Sequence, residues 1–150
     1  RSILSITRSW TFSLARKIAD YVDKNSLGIV LVAPMDVVFD DNLALQPDIL
    51  FISKERKHII TKYINGAPDL VVEIVSKGSV RHDTIKKKAI YEKYGVKEYW
   101  IVYPEEKVIE VFILKNNKYF LHQTTQENDI LKSVLLTGFT VASNKIFNSL

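Results

Sequence analysis

The chain has 150 residues, of which 47% are hydrophobic and 25% charged, with a net charge of +4 and no cysteine. That length suits one domain with one core, the composition excludes disorder, and the missing thiols exclude disulfides, thiolate metal sites and a cysteine nucleophile. No run approaches the roughly 18 uncharged apolar residues that span a bilayer, and no secretory segment is present, so the reading is a cytoplasmic protein.

In chain order, apolar residues at Trp10, Leu14, Ile18, Tyr21 and Val22, with Phe12, Ala15 and Ala19 beside them, predict a helix that Gly28 ends. The stretch "GIVLVAPMDVVFDDNLALQPDILFIS" reads as two β-runs folded as a hairpin around Asp40, Asp41 and Asn42. A polar connection follows, with a helical turn near Ile59 and Ile60. "PDLVVEIVS" is then a strand, and Asp83 or Thr84 caps a helix that ends at Tyr94 before Gly95. "KEYWIVYP" is an apolar strand closed by Pro104, and Lys107 to Thr125 form a hairpin around Asn116 and Asn117. The last residues read as a short strand and a terminal turn. Strands and helices mixed within one core give an α/β or α+β class with a mixed sheet.

On the strand after Pro68, Asp69, Val71, Glu73 and Val75 share one face while Leu70, Val72 and Ile74 share the other. Both faces are aliphatic, as in a central strand covered on both sides, where an unpaired ionised Glu73 costs several kcal/mol. A cation, a metal ion, a proton, a structural salt bridge or an edge position would each compensate it. Asp48 follows Pro47 at the start of another aliphatic strand; turn chemistry explains it alone, but two such acids on neighbouring strands point further. Lys87 falls on the helical stripe of Ile90, Tyr91 and Tyr94, whereas Lys86 and Lys88 point to either side. Its stem could merely cover the tyrosines, or its ammonium could pair with Glu73. Two carboxylates and a lysine at the mouth of a mixed sheet form a kit for phosphodiester hydrolysis. Hard oxygens hold Mg²⁺, and the lysine steadies the attacking water or the developing charge. His58, His82 and His122 are too scattered for a zinc cluster and read as surface residues, and Trp10 and Trp100 read as core. The five glycines occur singly, which disfavours nucleotide-dependent catalysis.

With "QPDILFIS", "GAPDLVVEIVS", "DTIKKKAIYEKYGVKEYWIVYP" and "TGF" in view, the chain resembles the Uma-type restriction endonuclease family, small bacterial proteins of the PD-(D/E)XK nuclease superfamily. The resemblance runs from about Ala33 to Phe139. It implies a single restriction-endonuclease-like domain over residues 1–150, with a central mixed sheet, flanking helices and a C-terminal β-hairpin extension. It also implies metal-binding roles for Asp48 and Glu73. Val75 stands where the superfamily usually has lysine, and the resemblance moves that role to Lys87. Asp36 sits where the family often has an acid, a lesser candidate ligand. The family's N-terminal Glu-Leu-Ile-Asp-Gly-like run is absent from Arg1 to Leu27, so the expectation is a chain lacking its N-terminal segment. Tyr103 replaces a common aspartate, and "SKGS" from Ser76 replaces Ser-Pro-Ser.

The leading expectation is a DNA endonuclease using Mg²⁺ or Mn²⁺, with Asp48, Glu73 and Lys87 catalytic and a homodimer possible. The alternative is a catalytically silent nucleic-acid-binding or oligomerisation module, whose long hairpin joins a partner's sheet. A third is a decayed fragment with purely structural carboxylates.

Overall fold

In the computed structural model, residues 3–76 and 81–147 are described, with side chains described for residues 10–76 and 83–147. The N-terminal periodicity forms α1 (Ile3–Lys24), whose Leu14, Ala15, Ile18 and Val22 are buried. Two details of that helix differ from the expectation. Phe12 lies 62% exposed, off the buried stripe. The helix stops at Lys24, and Gly28 instead opens β1 (Gly28–Val32), where a Cβ would stand 2.1 Å from the carbonyl oxygen of Ile52.

The expected long hairpin is also redistributed. The segment contains four strands: β1, β2 (Val37–Asp40), β3 (Leu43–Leu45) and β4 (Ile49–Ser53). Only β2 and β3 close around the Asp40 turn, where the Asp40 carboxylate accepts the Asn42 N–H at 2.8 Å. Pro34 interrupts the first run, since it offers no ladder donor. The outer pieces β1 and β4 pair with each other across the gap. A 3-10 turn (Lys54–Ile59) leads to β5 (Ile64–Asn65), which runs parallel to β2 in a small three-stranded sheet.

The main sheet has six strands in the order β1-β4-β6-β7-β8-β9, completed by β6 (Leu70–Ile74), β7 (Glu98–Tyr103), β8 (Val108–Lys115) and β9 (Lys118–Thr125). All neighbours are antiparallel except β6 and β7. Parallel strands need a crossover, and α2 (Arg81–Tyr94) supplies it. Gly95, at φ +88, ends that helix in the left-handed conformation. The C-terminal part adds β10 (Ile130–Lys132), β11 (Thr140–Ala142) and α3 (Ser143–Phe147).

Each face of the sheet has its own core. Phe51, Leu70, Val72, Trp100 and Val111 pack with α1 and the C-terminal segment. Leu50, Val71, Tyr99, Ile101 and Phe112 pack with Tyr91 of α2 and with Val37 and Ile64 of the small sheet. The strand β6 is therefore covered on both sides, as its aliphatic composition predicts. The architecture is the expected mixed α+β class, a central mixed sheet flanked by helices, with the β8–β9 hairpin extending it. Trp100 is fully buried, whereas Trp10 is half-buried at the C-terminal end, its indole N–H donating to the carbonyl of Phe147 at 3.0 Å. His58 and His122 are exposed, and the side chain of His82 lies outside the described residues.

Candidate functional site

Register brings the two acids together. Ile49 stands opposite Val72 in the antiparallel β4–β6 ladder, so one further step sets Asp48 opposite Glu73, on the α2 side of the sheet. The Asp48 carboxylate accepts the N–H of Ile74 at 2.6 Å, which fixes it to the end of β6. Glu73, 6% exposed, accepts the Tyr91 hydroxyl at 2.8 Å. The Lys87 ammonium lies 3.6 Å from Glu73 and 3.5 Å from Asp83, one helical turn before it on α2.

Asp48, Glu73, Asp83 and Lys87 line a cleft of about 170 Å³ together with Gln46, Ser76, Thr84 and Tyr99. If all ionise, three carboxylates face one ammonium, so the cleft attracts cations. Burial pushes the Glu73 carboxyl up to about 7, only partly offset by the Lys87 charge and the Tyr91 hydrogen bond, with the Asp48 charge adding to the rise. Burial likewise raises Asp48, against the pull of the Ile74 N–H, the Lys87 charge and a hydrogen bond with Glu73. For Lys87, burial alone would lower the pKa. The facing charges of Glu73, Asp83 and Asp48 outweigh it and hold the ammonium above its usual range. Tyr91 is shifted strongly upward by burial and by Glu73, so it remains a neutral donor.

The donor set suits a hard divalent cation. Two buried carboxyls, with the Asp48 charge adding to the cost of ionising Glu73, are the arrangement a cation relieves, and Mg²⁺ is held by one or two protein carboxylates while keeping several waters. Among the described residues no group of three acids or histidines forms a fuller cage.

All three expected site residues thus meet in one cleft. Asp36 stands one step outside it: its carboxylate accepts from the Gln46 amide at 2.8 Å, and Gln46 lines the cleft. Tyr103 lies further along the sheet, donating to Glu110 at 2.9 Å. Of the "SKGS" stretch only Ser76 is described; residues 77–79 lie outside the described residues. Sequence reasoning gave Asp83 only a capping role and Tyr91 only a place on the apolar stripe. The i, i+4 spacing of Asp83 and Lys87 was the available signal for the first. A tyrosine one turn beyond the inward lysine was the signal for the second.

Fold and site together define a class: mixed α+β proteins whose central sheet carries two convergent carboxyls and a helix-borne ammonium at one edge of a covered face. Residues 7–144 match the model of Uma2, described as "putative restriction endonuclease", and the chain belongs to that family. A solved structure described as a "putative nuclease belonging to DUF820 from Anabaena variabilis ATCC 29413" superposes with a TM-score of 0.80. The match covers 95% of this chain and 80% of that one at 15% sequence identity, so the likeness is one of fold. No curated protein matches the chain. No helix among the described residues is long and apolar enough to cross a membrane.

Proposed function

We propose that the chain is a cytoplasmic, metal-dependent endonuclease that hydrolyses DNA phosphodiester bonds, working as one restriction-endonuclease-like domain. The single observation that carries this reading is the convergence of Asp48, Glu73 and Lys87 in one partly buried cleft. Family membership supports it.

In this reading Asp48 and Glu73 would hold Mg²⁺ or Mn²⁺, for which Glu73, raised to about 7 by burial, would have to give up its proton. Such an ion would supply Lewis-acid polarisation of the phosphate and a more acidic water. The chain's residues do the rest. The Ile74 N–H and the Tyr91 hydroxyl orient the two carboxylates. Lys87, kept charged by three acids, stands ready to steady the attacking oxygen or the charge growing on the phosphate. The net charge of +4 assists contact with the nucleic-acid backbone.

The test is plasmid cleavage by purified protein in Mg²⁺. Asp48→Ala and Glu73→Ala should each abolish cleavage, and Lys87→Ala should slow it by about a hundredfold. Cleavage that persists in EDTA, or that survives both carboxylate substitutions, overturns the mechanism.

A second reading is favoured by one observation. The edge strand β9 leaves Phe120 and Leu121 more than half exposed, at 55% and 54%. Such an edge can pair with a second copy, giving a homodimer or a silent binding module. DNA binding without cleavage, combined with a dimer that Phe120→Lys disperses, would establish it instead.

A further inference from the structure

Beside the acid pair, on the same face of the sheet, lies a larger cleft of about 490 Å³. It shares Val75 and Thr84 with the carboxylate cleft, so the two are adjacent. Register relates them further: Glu73 stands opposite Ile101, and Ile101 stands opposite Glu110. With strands about 4.8 Å apart, Glu110 lies about 10 Å across the sheet from Glu73. A group attached to a phosphate held at the acid pair would be led into this space.

The lining selects what that group is. Val75, Ile85, Ile101 and Phe112 give apolar walls, with Ile85 59% exposed at the rim. The Lys88 ammonium is parked 4.0 Å above the Phe112 ring centroid. The half-buried Glu110 carboxylate is oriented by the Tyr103 hydroxyl at 2.9 Å. One hydrogen bond leaves a carboxylate with acceptor capacity to spare. A second phosphate would meet Glu110 as well as the Lys88 ammonium, so the charges of the lining do not select one. A flat ring with apolar faces and a donor on its edge fits both the walls and the acceptor.

We infer that this cleft is a subsite for one unpaired nucleobase bearing an exocyclic amino group, which donates to Glu110 while the ring lies against Val75 and Ile85. The inference rests on the nucleic-acid reading of the neighbouring acid pair. A base still stacked in a duplex cannot lay its face against these walls, so the subsite selects single-stranded or locally opened DNA. Cytosine, adenine and guanine offer the amino donor. Thymine has no amino group, and its one edge donor, N3–H, is flanked by two carbonyl oxygens that meet the carboxylate unfavourably, so it is disfavoured.

The experiment is fluorescence anisotropy of labelled oligo-dC and oligo-dT of equal length, titrated with the full chain in EDTA at mildly alkaline pH. Oligo-dC should bind about tenfold more tightly than oligo-dT. In Glu110→Gln the amide can also donate, so the ratio should shrink toward one; the retained oxygen still accepts from Tyr103, and thermal unfolding checks the fold. Ile85→Glu, at an exposed position, should weaken oligo-dC binding by about tenfold through loss of the apolar wall. Equal affinities for the two oligonucleotides, a ratio unmoved by Glu110→Gln, or no effect of Ile85→Glu would each overturn the subsite. Cleavage in Mg²⁺ is scored separately: cleavage without base preference removes the subsite and leaves the nuclease, whereas base preference without cleavage does the reverse.

Discussion

Two glutamates are buried in adjacent strands of this sheet, and the molecule treats them in opposite ways. Glu98, on β7, is 1% exposed and accepts four hydrogen bonds: from the Trp100 indole at 2.8 Å, the Ser133 hydroxyl at 2.6 Å, and the N–H groups of Val134 and Leu135 at 2.9 and 3.0 Å. Fixed dipoles replace its water, so the carboxylate clamps the C-terminal segment onto the sheet. Glu73, on β6, has one hydroxyl donor, a backbone hydrogen bond at Asp48, one ammonium at 3.6 Å and a second acid beside it. A carboxylate that the protein satisfies internally is architecture. One left short of donors at a cleft is available to something that arrives from outside.

The sharpest way to break this comparison is to remove each acid in turn. Glu73→Ala should lower Mg²⁺-dependent plasmid cleavage by at least about a hundredfold with the fold intact. Glu98→Ala should strand the buried donors of Trp100, Ser133, Val134 and Leu135, costing about 3 kcal/mol and lowering the melting temperature by about 10 °C. Thermal unfolding followed by circular dichroism would separate the two. A Glu98→Ala protein as stable as the parent would show that the clamp is not structural.

The next effect is on pH dependence. Because the Glu73 carboxyl is raised from 4.5 to about 7 in the folded chain, the native state binds more protons than the unfolded state between those values. Stability of the metal-free protein should therefore fall as pH rises through that window, by about 3 kcal/mol at most. Glu73→Gln should flatten the dependence, and added Mg²⁺ should raise the melting temperature more at pH above 7 than below 5. Denaturant unfolding across the window measures all three.

The smallest expected effect belongs to Tyr91. Its hydroxyl orients Glu73 without meeting the substrate, so Tyr91→Phe should reduce cleavage by about tenfold and shift the Mg²⁺ dependence to higher concentration. A change in cleavage rate with unaltered Mg²⁺ dependence would argue that the hydroxyl does something other than position the ligand.

The mixed α+β class and the grouping of Asp48, Glu73 and Lys87 were more legible in the sequence than the pairing of the strands. Pro-Asp and Pro-Asp-Leu-Val-Val-Glu place acids at fixed parities on aliphatic strands, and a wheel of 100° per residue turns one lysine of three inward; both rules are local. The pairing of β1 with β4 was hidden because the small β2–β3 hairpin stands between them, and a hairpin is what adjacent runs ordinarily make. The Glu98 clamp was hidden for a related reason: three of its donors come from residues 133–135, some 35 positions later, and two of those are backbone N–H groups that no side-chain pattern announces.

The opposition of residues 48 and 73 also ties chemistry to correct assembly. Since neighbouring positions on a strand look to opposite sides, a shift of β4 by a single residue along β6 would carry Asp48 through to the tryptophan side of the sheet. The same shift would turn Ile49 and Phe51 away from α1 and Leu50 and Ile52 away from α2. A chain that has joined its strands wrongly therefore has no acid pair at all, and the hydrophobic sorting that rejects such a chain is what guards the cleft.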